Sequence, residues 1–396
     1  MSELRENPLR AEKRKKLEAL RSAGIDPFPY RFDRTSNSRR IHEEFDFLNS
    51  GEKKTEAVFR LAGRVKTLRS MGKASFFNLE DQSGSLQIYI KLEELSPVAK
   101  KSFELLDLGD WVGVEGFVFR TQKGELSLHV QHFEILCKSL EPLPEKFHGV
   151  TDVEIKYRHR HLDLIADADS RRIFEMRVQI IRSIRRWMDN QGFMEVETPV
   201  LQPIYGGAAA HPFATHHRAL DMKLYLKISP ELYLKRLIVG GFEKVYEIGK
   251  NFRNEGIDRT HNPEFTMMEW YKAYTDYTDQ MKRFEDLVCH VVQEIRGRLS
   301  FDFQGRTLDF SPPWERLSVD EALAKYAGVN SLQASEADLR SELSKRGGDP
   351  EGLNRGEILM ELFELTCEEQ LWNPTFILDH PEEISPLTKR HRSKPG

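Results

Sequence analysis

The sequence predicts an α+β protein with two folded parts: a small β-barrel, then a larger domain in which helices alternate with strands. Three observations predict this fold class. Five short strand patterns follow one another between 58 and 139, separated by polar turns. An amphipathic helix pattern starts near Ile173, with apolar residues at helical spacing. Two aromatic-rich strand patterns between Lys244 and Tyr271 are joined by a polar loop with Gly and Pro.

The composition limits the possible partners and compartments. Fifty-nine Lys and Arg residues stand against 63 Asp and Glu in 396 residues, a formal net charge of −4. Any nucleic-acid binding must therefore use local basic patches. The sequence has no apolar run near the roughly 20 residues of a membrane span, and it begins without a signal-peptide core. These features predict no membrane partner. Cys137, Cys289 and Cys367 are isolated and have no metal-ligand spacing, which predicts a reducing compartment, most simply the cytoplasm.

The first predicted segment, 1–57, is a basic helix followed by a connector. Between Asn7 and Arg21, Lys and Arg side chains surround Leu17 and Leu20. Two interpretations stay open for this helix: a solvated basic face, or a local patch that contacts an RNA backbone. The Pro-broken stretch GIDPFPYRF after it predicts an extended connector.

The second predicted domain, 58–139, has five strands with a helix between the third and fourth, which is typical of an OB-type barrel. Such barrels stack single-stranded bases on aromatic side chains near basic ones. Side chains alternate along a strand, so only one of Phe76 and Phe77 can fill the barrel. Phe76, close to Arg69 and Lys73, is the candidate stacking residue. A Pro-containing linker, 140–154, leads to the third predicted domain, 155–396.

The hairpin from Lys244 to Tyr271 is the main candidate site. With strands predicted at 244–255 and 264–271, alternation places Arg253 and Glu255 on one face of the first strand. Phe265, Glu269 and Tyr271 share a face of the second. The guanidinium suits phosphate or carboxylate, the phenyl ring suits a flat base, and the carboxylate suits an ammonium group. A surface hairpin with cross-strand ion pairs is an equal alternative.

The segment FRNEGIDRTHNPEFTMMEWY closely resembles the second signature motif of class II aminoacyl-tRNA synthetases, in the form carried by the lysyl enzymes. The helix from Ile173 and the strand FMEVETPVL, closed by Pro199, resemble the first motif, which builds the dimer interface in that family. RSMGKASF and KGELSLHV resemble the family's anticodon-binding domain. The resemblance implies an antiparallel class II catalytic sheet in 155–396, with a helical insertion at about 315–371.

The resemblance also implies an enzyme of protein biosynthesis. It would use ATP with Mg2+ to activate lysine as lysyl-adenylate, transfer it to tRNA(Lys), and act as a homodimer. Arg253 would be catalytic and bridge the α-phosphate and the lysine carboxylate. The other implied contacts are, for ATP, Asn254, Glu255, His261, Asn262 and Phe265; for lysine, Gly207, Glu231, Glu269 and Tyr271; and for the anticodon, Arg69, Phe76, Gln87 and Glu125.

Several alternatives stay open at this point. Ser229, Pro230 and Glu231 also fit the capped start of a helix, which would give Glu231 a structural role. Family members continue beyond the position of Gly396, where Mg2+ ligands and the third motif are expected, so no metal ligand is assigned within this sequence. A truncated, non-catalytic tRNA-binding or interaction protein derived from a synthetase is therefore the alternative function.

Three related ligases are disfavoured. Glu231 stands where aspartyl enzymes typically have Gln, which argues against an aspartyl or asparaginyl enzyme. The barrel argues against a protein-lysylating paralogue. His211, His216 and His217 match no standard metal spacing and are interpreted as surface or structural residues.

Overall fold

The structure is a computed structural model that describes residues 8–72, 74–143, 152–386, 388, 389 and 391. It divides into two compact units, Met1–Arg172 and Ile173–Gly396, each described by itself. No helix in the described ranges is long and apolar enough to cross a membrane. Lys73 and residues 144–151 of the predicted linker lie outside the described residues. The predicted domain limits at 57, 139 and 154 stay predictions.

The first unit contains a closed five-stranded barrel. In chain order its elements are α1 (Pro8–Ser22), α2 (Ser38–Phe45), β1 (Lys53–Met71), β2 (Ala74–Glu80), β3 (Ser85–Lys91), a 3-10 turn (Leu92–Glu94), α3 (Pro97–Glu104), β4 (Trp111–Arg120), β5 (Leu126–Cys137), α4 (Val153–Arg158) and α5 (Arg160–Ala166). The strands pair in the order β1-β2-β3-β5-β4, and β4 pairs with β1 to close the ring. The helix between β3 and β4 is where the sequence predicts it, and the OB-type barrel is confirmed.

Strand alternation builds the barrel core. Along β2, buried and partly exposed positions alternate without interruption. Phe77 is fully buried and packs edge-on against Phe133, with ring centroids 6.4 Å apart. Phe76, one position earlier, is only partly buried and faces the other side. The prediction that only one of the two phenyl rings fills the barrel is confirmed, and the inward ring is Phe77.

Helix α1 is attached to the barrel by two of its lysines. Lys13 Nζ donates to the Leu108 carbonyl at 3.0 Å, and Lys16 Nζ contacts Asp107 Oδ1 at 2.5 Å. Lys138, which is buried, contacts the other oxygen of Asp107 at 2.5 Å. Lys13 and Lys16 therefore stabilise the fold, and neither side chain is free to contact an RNA backbone.

The second unit contains the candidate site. Its elements are α6 (Ala168–Asn190, which begins before the division), β6 (Met194–Glu195), β7 (Leu201–Gln202), β8 (Ala214–His217), β9 (Met222–Leu226), α7 (Glu231–Val239), β10 (Lys244–Phe252), β11 (Glu264–Lys272), α8 (Tyr277–Arg296), β12 (Ser300–Phe303), β13 (Arg306–Asp309), β14 (Glu315–Ser318), α9 (Val319–Ala322), a π-helical turn (Leu323–Ala327), α10 (Glu336–Lys345), α11 (Arg355–Thr366), 3-10 turns (Glu368–Gln370 and Glu382–Ile384) and β15 (Thr375–Leu378).

Strand β10 is the centre of the sheet that carries the candidate site. It pairs antiparallel with β11 along its whole length and parallel with β6. Tyr246, which is fully buried, packs with Met188 and Phe193 under this sheet. The strand predicted over FMEVETPVL is wrong beyond its first residues, since only Met194–Glu195 pairs with β10. The Thr198 N–H donates to the Glu247 carboxylate at 3.3 Å, and Pro199 has no N–H to donate, so neither residue extends the ladder.

The segment predicted as helical between 317 and 370 does form helices α9, α10 and α11 around their own core. Leu339, Leu343, Ile358 and Leu362 are all fully buried in this cluster. Capping boxes start the three helices at Ser318, Ser335 and Asn354. Strands β14 and β15, on either side of these helices in the chain, pair in parallel.

Candidate functional site

Arg253 follows directly after β10 and is held at the open end of the hairpin. Its N–H donates to the Pro263 carbonyl at 2.9 Å, which joins the two ends of the loop. Its guanidinium carbon lies 5.1 Å from the centroid of the Phe265 ring on β11. The buried Nε atom has no hydrogen-bond partner among the described residues. A buried, unsatisfied guanidinium donor beside an aromatic ring suits an anionic group attached to a flat ring.

The loop after Arg253 is joined to the segment at His211. The Asn254 N–H donates to the His211 carbonyl at 2.7 Å, and the His211 N–H donates to Glu255 Oε1 at 3.3 Å. The prediction that Arg253 and Glu255 share a strand face is wrong. Strand β10 ends at Phe252, so both residues belong to the loop and alternation does not set their directions.

The tip of the loop is organised by Asp258, a residue that the sequence analysis does not single out. Asp258 Oδ1 accepts hydrogen bonds from the backbone N–H groups of Thr260 and His261, both at 2.7 Å. Its Oδ2 lies 2.8 Å from His261 Nδ1. The Thr260 N–H and then the His261 contacts hold the pKa of this exposed carboxyl well below its usual range. The Asx-turn spacing Asp-x-Thr-His is the sequence signal that could have found it.

Gly207, Ser229, Glu231, Glu269 and Tyr271 form one cluster of contacting residues, which we call the acidic pocket. Ser229 Oγ donates to Glu269 Oε1 at 2.7 Å and accepts from the Glu231 N–H at 3.1 Å. Tyr271 Oη donates to Glu269 Oε2 at 3.4 Å. A Cβ on Gly207 would lie 2.8 Å from Glu231 Cβ and 2.9 Å from Ser229 Oγ. All four predicted lysine-contacting residues thus lie together.

Ser229 makes the predicted capping contact and one further contact. Helix α7 is assigned from Glu231 with Pro230 in the N-cap position, and the Ser229 Oγ accepts from the Glu231 N–H at the start of the helix. The same Oγ donates to Glu269, 40 residues later in the chain. The structure gives Glu231 its predicted alternative position in the first helical turn, and Lys235 Nζ, one turn later, contacts its Oε1 at 2.5 Å.

The electrostatics of the acidic pocket favour a cation. Burial raises the pKa of Glu269, and the carboxylates of Glu231 and Glu247 raise it further, against the opposing hydrogen bonds from Ser229 and Tyr271. Burial, followed by the two nearby carboxylates, also raises the pKa of Tyr271. A half-buried carboxylate held among other carboxylates gains most from a neighbouring positive charge.

A second candidate surface lies on the barrel. It is a cavity of about 570 Å³, and its lining includes all four residues predicted to contact an anticodon: Arg69, Phe76, Gln87 and Glu125. The Phe76 ring lies 4.9 Å from that of Tyr89, between centroids. Gln87 Oε1 accepts from Ser127 Oγ at 2.9 Å, which fixes its amide. Asn78 and Lys123, which the sequence analysis does not name, also line the cavity.

The interpretation of the histidines as surface or structural residues stays a prediction. His216 Nε2 lies 3.0 Å from Asp221 Oδ1, on an exposed turn. Across the described ranges, no three His, Cys, Asp or Glu side chains are grouped closely enough to hold a metal ion.

Comparisons with known proteins agree with this geometry. Residues 152–395 match the family model of tRNA synthetases class II (D, K and N), and residues 59–136 match that of the OB-fold nucleic acid binding domain. The chain is 50% identical over 392 residues to a lysine–tRNA ligase from Moorella thermoacetica, covering 98% of this chain and 79% of that protein. It is 49% identical over 382 residues to one from Carboxydothermus hydrogenoformans (96% and 77%), and 46% identical over 385 residues to one from Thermotoga maritima (96% and 76%). The chain therefore belongs to the class II tRNA synthetases of the D, K and N family.

Proposed function

We propose that this protein is a lysine–tRNA ligase, which activates lysine with ATP and transfers it to tRNA(Lys). The observation that carries the proposal is the acidic pocket. Two of its residues, Glu269 and Tyr271, lie on the same hairpin as Arg253 and Phe265. Glu269 is four residues from Phe265 on one face of β11. At ~3.3 Å per strand residue, about 13 Å separate the two positions, enough for an amino acid and a nucleotide side by side.

Lysine is the amino acid whose charges fit the acidic pocket. It carries two ammonium groups, and Glu269 offers a carboxylate that, among the described residues, contacts only hydroxyl groups, whereas Glu231 already contacts Lys235. Ser229 and Tyr271 fix the direction of the Glu269 carboxylate through its two oxygens. An amino acid with a neutral side chain of the same length would leave this half-buried carboxylate without a cationic partner, which is a strong basis for rejection by a binding site. The three relatives named above are lysine–tRNA ligases.

In the first step, a lysine carboxylate oxygen attacks the α-phosphorus of ATP, and pyrophosphate leaves as lysyl-adenylate forms. Arg253 acts as the catalytic residue, since its guanidinium can bridge the two anions as charge develops. The Phe265 ring stacks on adenine, and His261, held by Asp258, meets the distal phosphates. Asn254, Glu255 and Asn262 contact the nucleotide. In the second step, a terminal ribose hydroxyl of the tRNA takes the lysyl group.

Mg2+ accompanies ATP in this proposal and supplies charge neutralisation on the phosphates. The described residues do not include a cluster that fits the ion, so no step is assigned to it.

The remaining partners are proposed on surface features. The barrel cavity would bind the anticodon, with Phe76 as a stacking surface and Arg69 as a basic neighbour. A homodimer would cover part of α6, on which Ile173 and Val178 are 65% and 47% exposed. The cytoplasmic location stays a prediction from the isolated cysteines.

The test of the proposal is lysine-dependent exchange between ATP and labelled pyrophosphate. The wild-type protein is expected to show exchange with lysine and far less with norleucine, which has a neutral side chain of similar length. Arg253→Ala is expected to lower the exchange rate by about 100-fold or more, the usual effect of removing a group that stabilises transition-state charge.

Arg298→Ala is the matched control, because Arg298 is an exposed arginine of the same unit outside the site. It is expected to leave exchange unchanged. Circular dichroism melting of both variants separates loss of chemistry from loss of folding. Wild-type exchange that does not depend on lysine would overturn the proposed function, and near wild-type exchange by Arg253→Ala would remove the role of Arg253.

A further inference from the structure

A buried ion pair lies beside the acidic pocket. Lys227 is 1% exposed and Glu247 is 4% exposed. Lys227 Nζ contacts Glu247 Oε1, and Thr198 donates to Glu247 Oε2 from its Oγ1 at 2.7 Å and from its N–H at 3.3 Å. Both carboxylate oxygens of Glu247 are therefore occupied by donors from this chain.

The pair is placed against the pocket by strand register. Glu247 on β10 stands directly opposite Glu269 on β11 in the antiparallel ladder. Lys227 and Ser229 are two residues apart at the end of β9, and each contacts one of these carboxylates: Lys227 contacts Glu247, and Ser229 contacts Glu269. The two opposed carboxylates thus have different environments: Glu247 is paired with a cation, and Glu269 is only half-buried.

The fold by itself does not explain such a pair. Burying two charges is costly, and apolar residues of similar size often replace a buried ion pair without loss of stability. Like charges directly opposite each other on a ladder are destabilising as well. A carboxylate at 247 and a lysine at 227 therefore point to a role in the neighbouring pocket.

We propose that Lys227 and Glu247 are positioning residues of the acidic pocket, where Lys227 neutralises the carboxylate opposite Glu269 and so leaves Glu269 as the open acceptor for a substrate ammonium group. This inference rests on the proposed function. It adds to that function a charge balance in which Lys227 matches Glu247 and Lys235 matches Glu231, so that Glu269 is the carboxylate left for a substrate ammonium group.

The charged and titratable groups that face Glu269 come from four elements. They are Glu231 and Lys235 on α7, Tyr271 on β11, Glu247 on β10 and, through Glu247, Lys227 after β9. Lysine binding needs ionised Glu269, so affinity is lost as pH falls through the pKa of that group. Removing the Lys227 cation favours protonation of Glu269, and removing the Glu247 anion disfavours it.

The experiment measures lysine affinity by calorimetry, and the KM for lysine in pyrophosphate exchange, across pH 5 to 9. Lysine affinity is expected to fall at low pH, and we call this fall the acid limb. Lys227→Met is expected to move the acid limb to higher pH, and Glu247→Gln is expected to move it to lower pH. Glu247→Gln is also expected to weaken lysine binding at pH 7.5 roughly tenfold, because the unmatched Lys227 charge repels the substrate. The double variant Lys227→Met/Glu247→Gln is expected to return the limb close to that of the wild type.

Lys250→Met is the matched control, since Lys250 and Glu264 form an exposed Lys–Glu pair on the same two strands, 3.0 Å apart. It is expected to leave the limb unchanged. The charge-balance inference would be overturned if the fall of lysine affinity at low pH shifted in the same direction in both single variants, or shifted in neither. Absence of lysine binding by the wild-type protein would overturn the proposed function instead. If a single variant fails to fold, the double variant is the test. An acid limb displaced from that of the wild type would then contradict the inference.

Discussion

The Glu269 carboxylate has opposite effects on the stability of the free protein and on substrate binding. Its carboxylate is half-buried and close to Glu231 and Glu247, which makes its ionised form unfavourable in the free protein. The same carboxylate is the group that an ammonium ligand would contact, and its two oxygens are already oriented by Ser229 and Tyr271. Burial and the nearby carboxylates therefore destabilise the ionised Glu269 in the free protein and, for the same reason, favour binding of a positively charged substrate group.

Replacing Glu269 with Gln should separate these two effects. A carboxyl group with a raised folded-state pKa binds its proton more tightly when folded, so the protein loses stability as pH rises from the unfolded pKa through the folded pKa. Glu269→Gln is therefore expected to melt at a higher temperature than the wild type at pH 8. The difference should vanish below about pH 4, where the wild-type group is protonated in both states.

The same variant is expected to bind lysine at least about tenfold more weakly, since a hydrogen bond to a charged group contributes ~1.5–3 kcal/mol. Calorimetric melting and lysine titration check the two halves of the prediction. Glu264→Gln, on the same strand and exposed, is the control and should change neither quantity. A lower melting temperature for Glu269→Gln at pH 8 would contradict the electrostatic account of the pocket.

At the scale of elements, the acidic pocket depends on how the start of α7 approaches the segment around Gly207. Gly207 has φ +89, a conformation that residues with a Cβ rarely adopt, and Glu231 Cβ and Ser229 Oγ occupy the space that a Cβ would need. The glycine thus permits close approach of a loop to the first turn of a helix, and the helix start carries the carboxylate into the pocket.

Gly207→Ala should therefore raise the KM for lysine as well as lower stability. Gly241→Ala is a close control: Gly241 has φ +103 but nothing within 4 Å of its added Cβ. Both substitutions are expected to lose about 1 kcal/mol of stability from backbone strain. Only Gly207→Ala should displace Glu231 and Ser229 and weaken lysine binding, by about tenfold. Equal KM values for the two variants would contradict the close-approach argument.

The extent to which sequence predicts this protein also differs between elements. The barrel could be predicted, because alternation within a strand decides locally that only one of Phe76 and Phe77 is buried, and the structure shows that it is Phe77. The end of β10 could not, since the ladder stops at Phe252 although the pattern continues to Glu255. The contact of Ser229 with Glu269 depends on packing between segments 40 residues apart, which local patterns do not contain. The sequence therefore predicts the contact of Ser229 with the start of the helix but not its contact with Glu269.

At the scale of the whole molecule, the two units have separate cores and separate candidate surfaces. The barrel core is built from its own strands and helices, with Phe77 and Phe133 inside. The second unit has its own clusters under β10 and among α9, α10 and α11. With a formal net charge of −4, the protein offers no general attraction to RNA, so binding depends on the local cavity of the barrel.

Phe76→Ala should weaken tRNA binding and leave lysine-dependent pyrophosphate exchange unchanged, because stacking on one base contributes about 1–3 kcal/mol and the exchange reaction does not require tRNA. Filter binding of tRNA(Lys) and exchange kinetics measure the two effects. Phe77→Ala, one residue further, is the matched control: its fully buried ring fills the barrel, so its loss should cost ~3–5 kcal/mol of stability. Unchanged tRNA affinity in a folded Phe76→Ala protein would exclude Phe76 as a stacking surface, and reduced exchange would show that the barrel and the acidic pocket do not act separately.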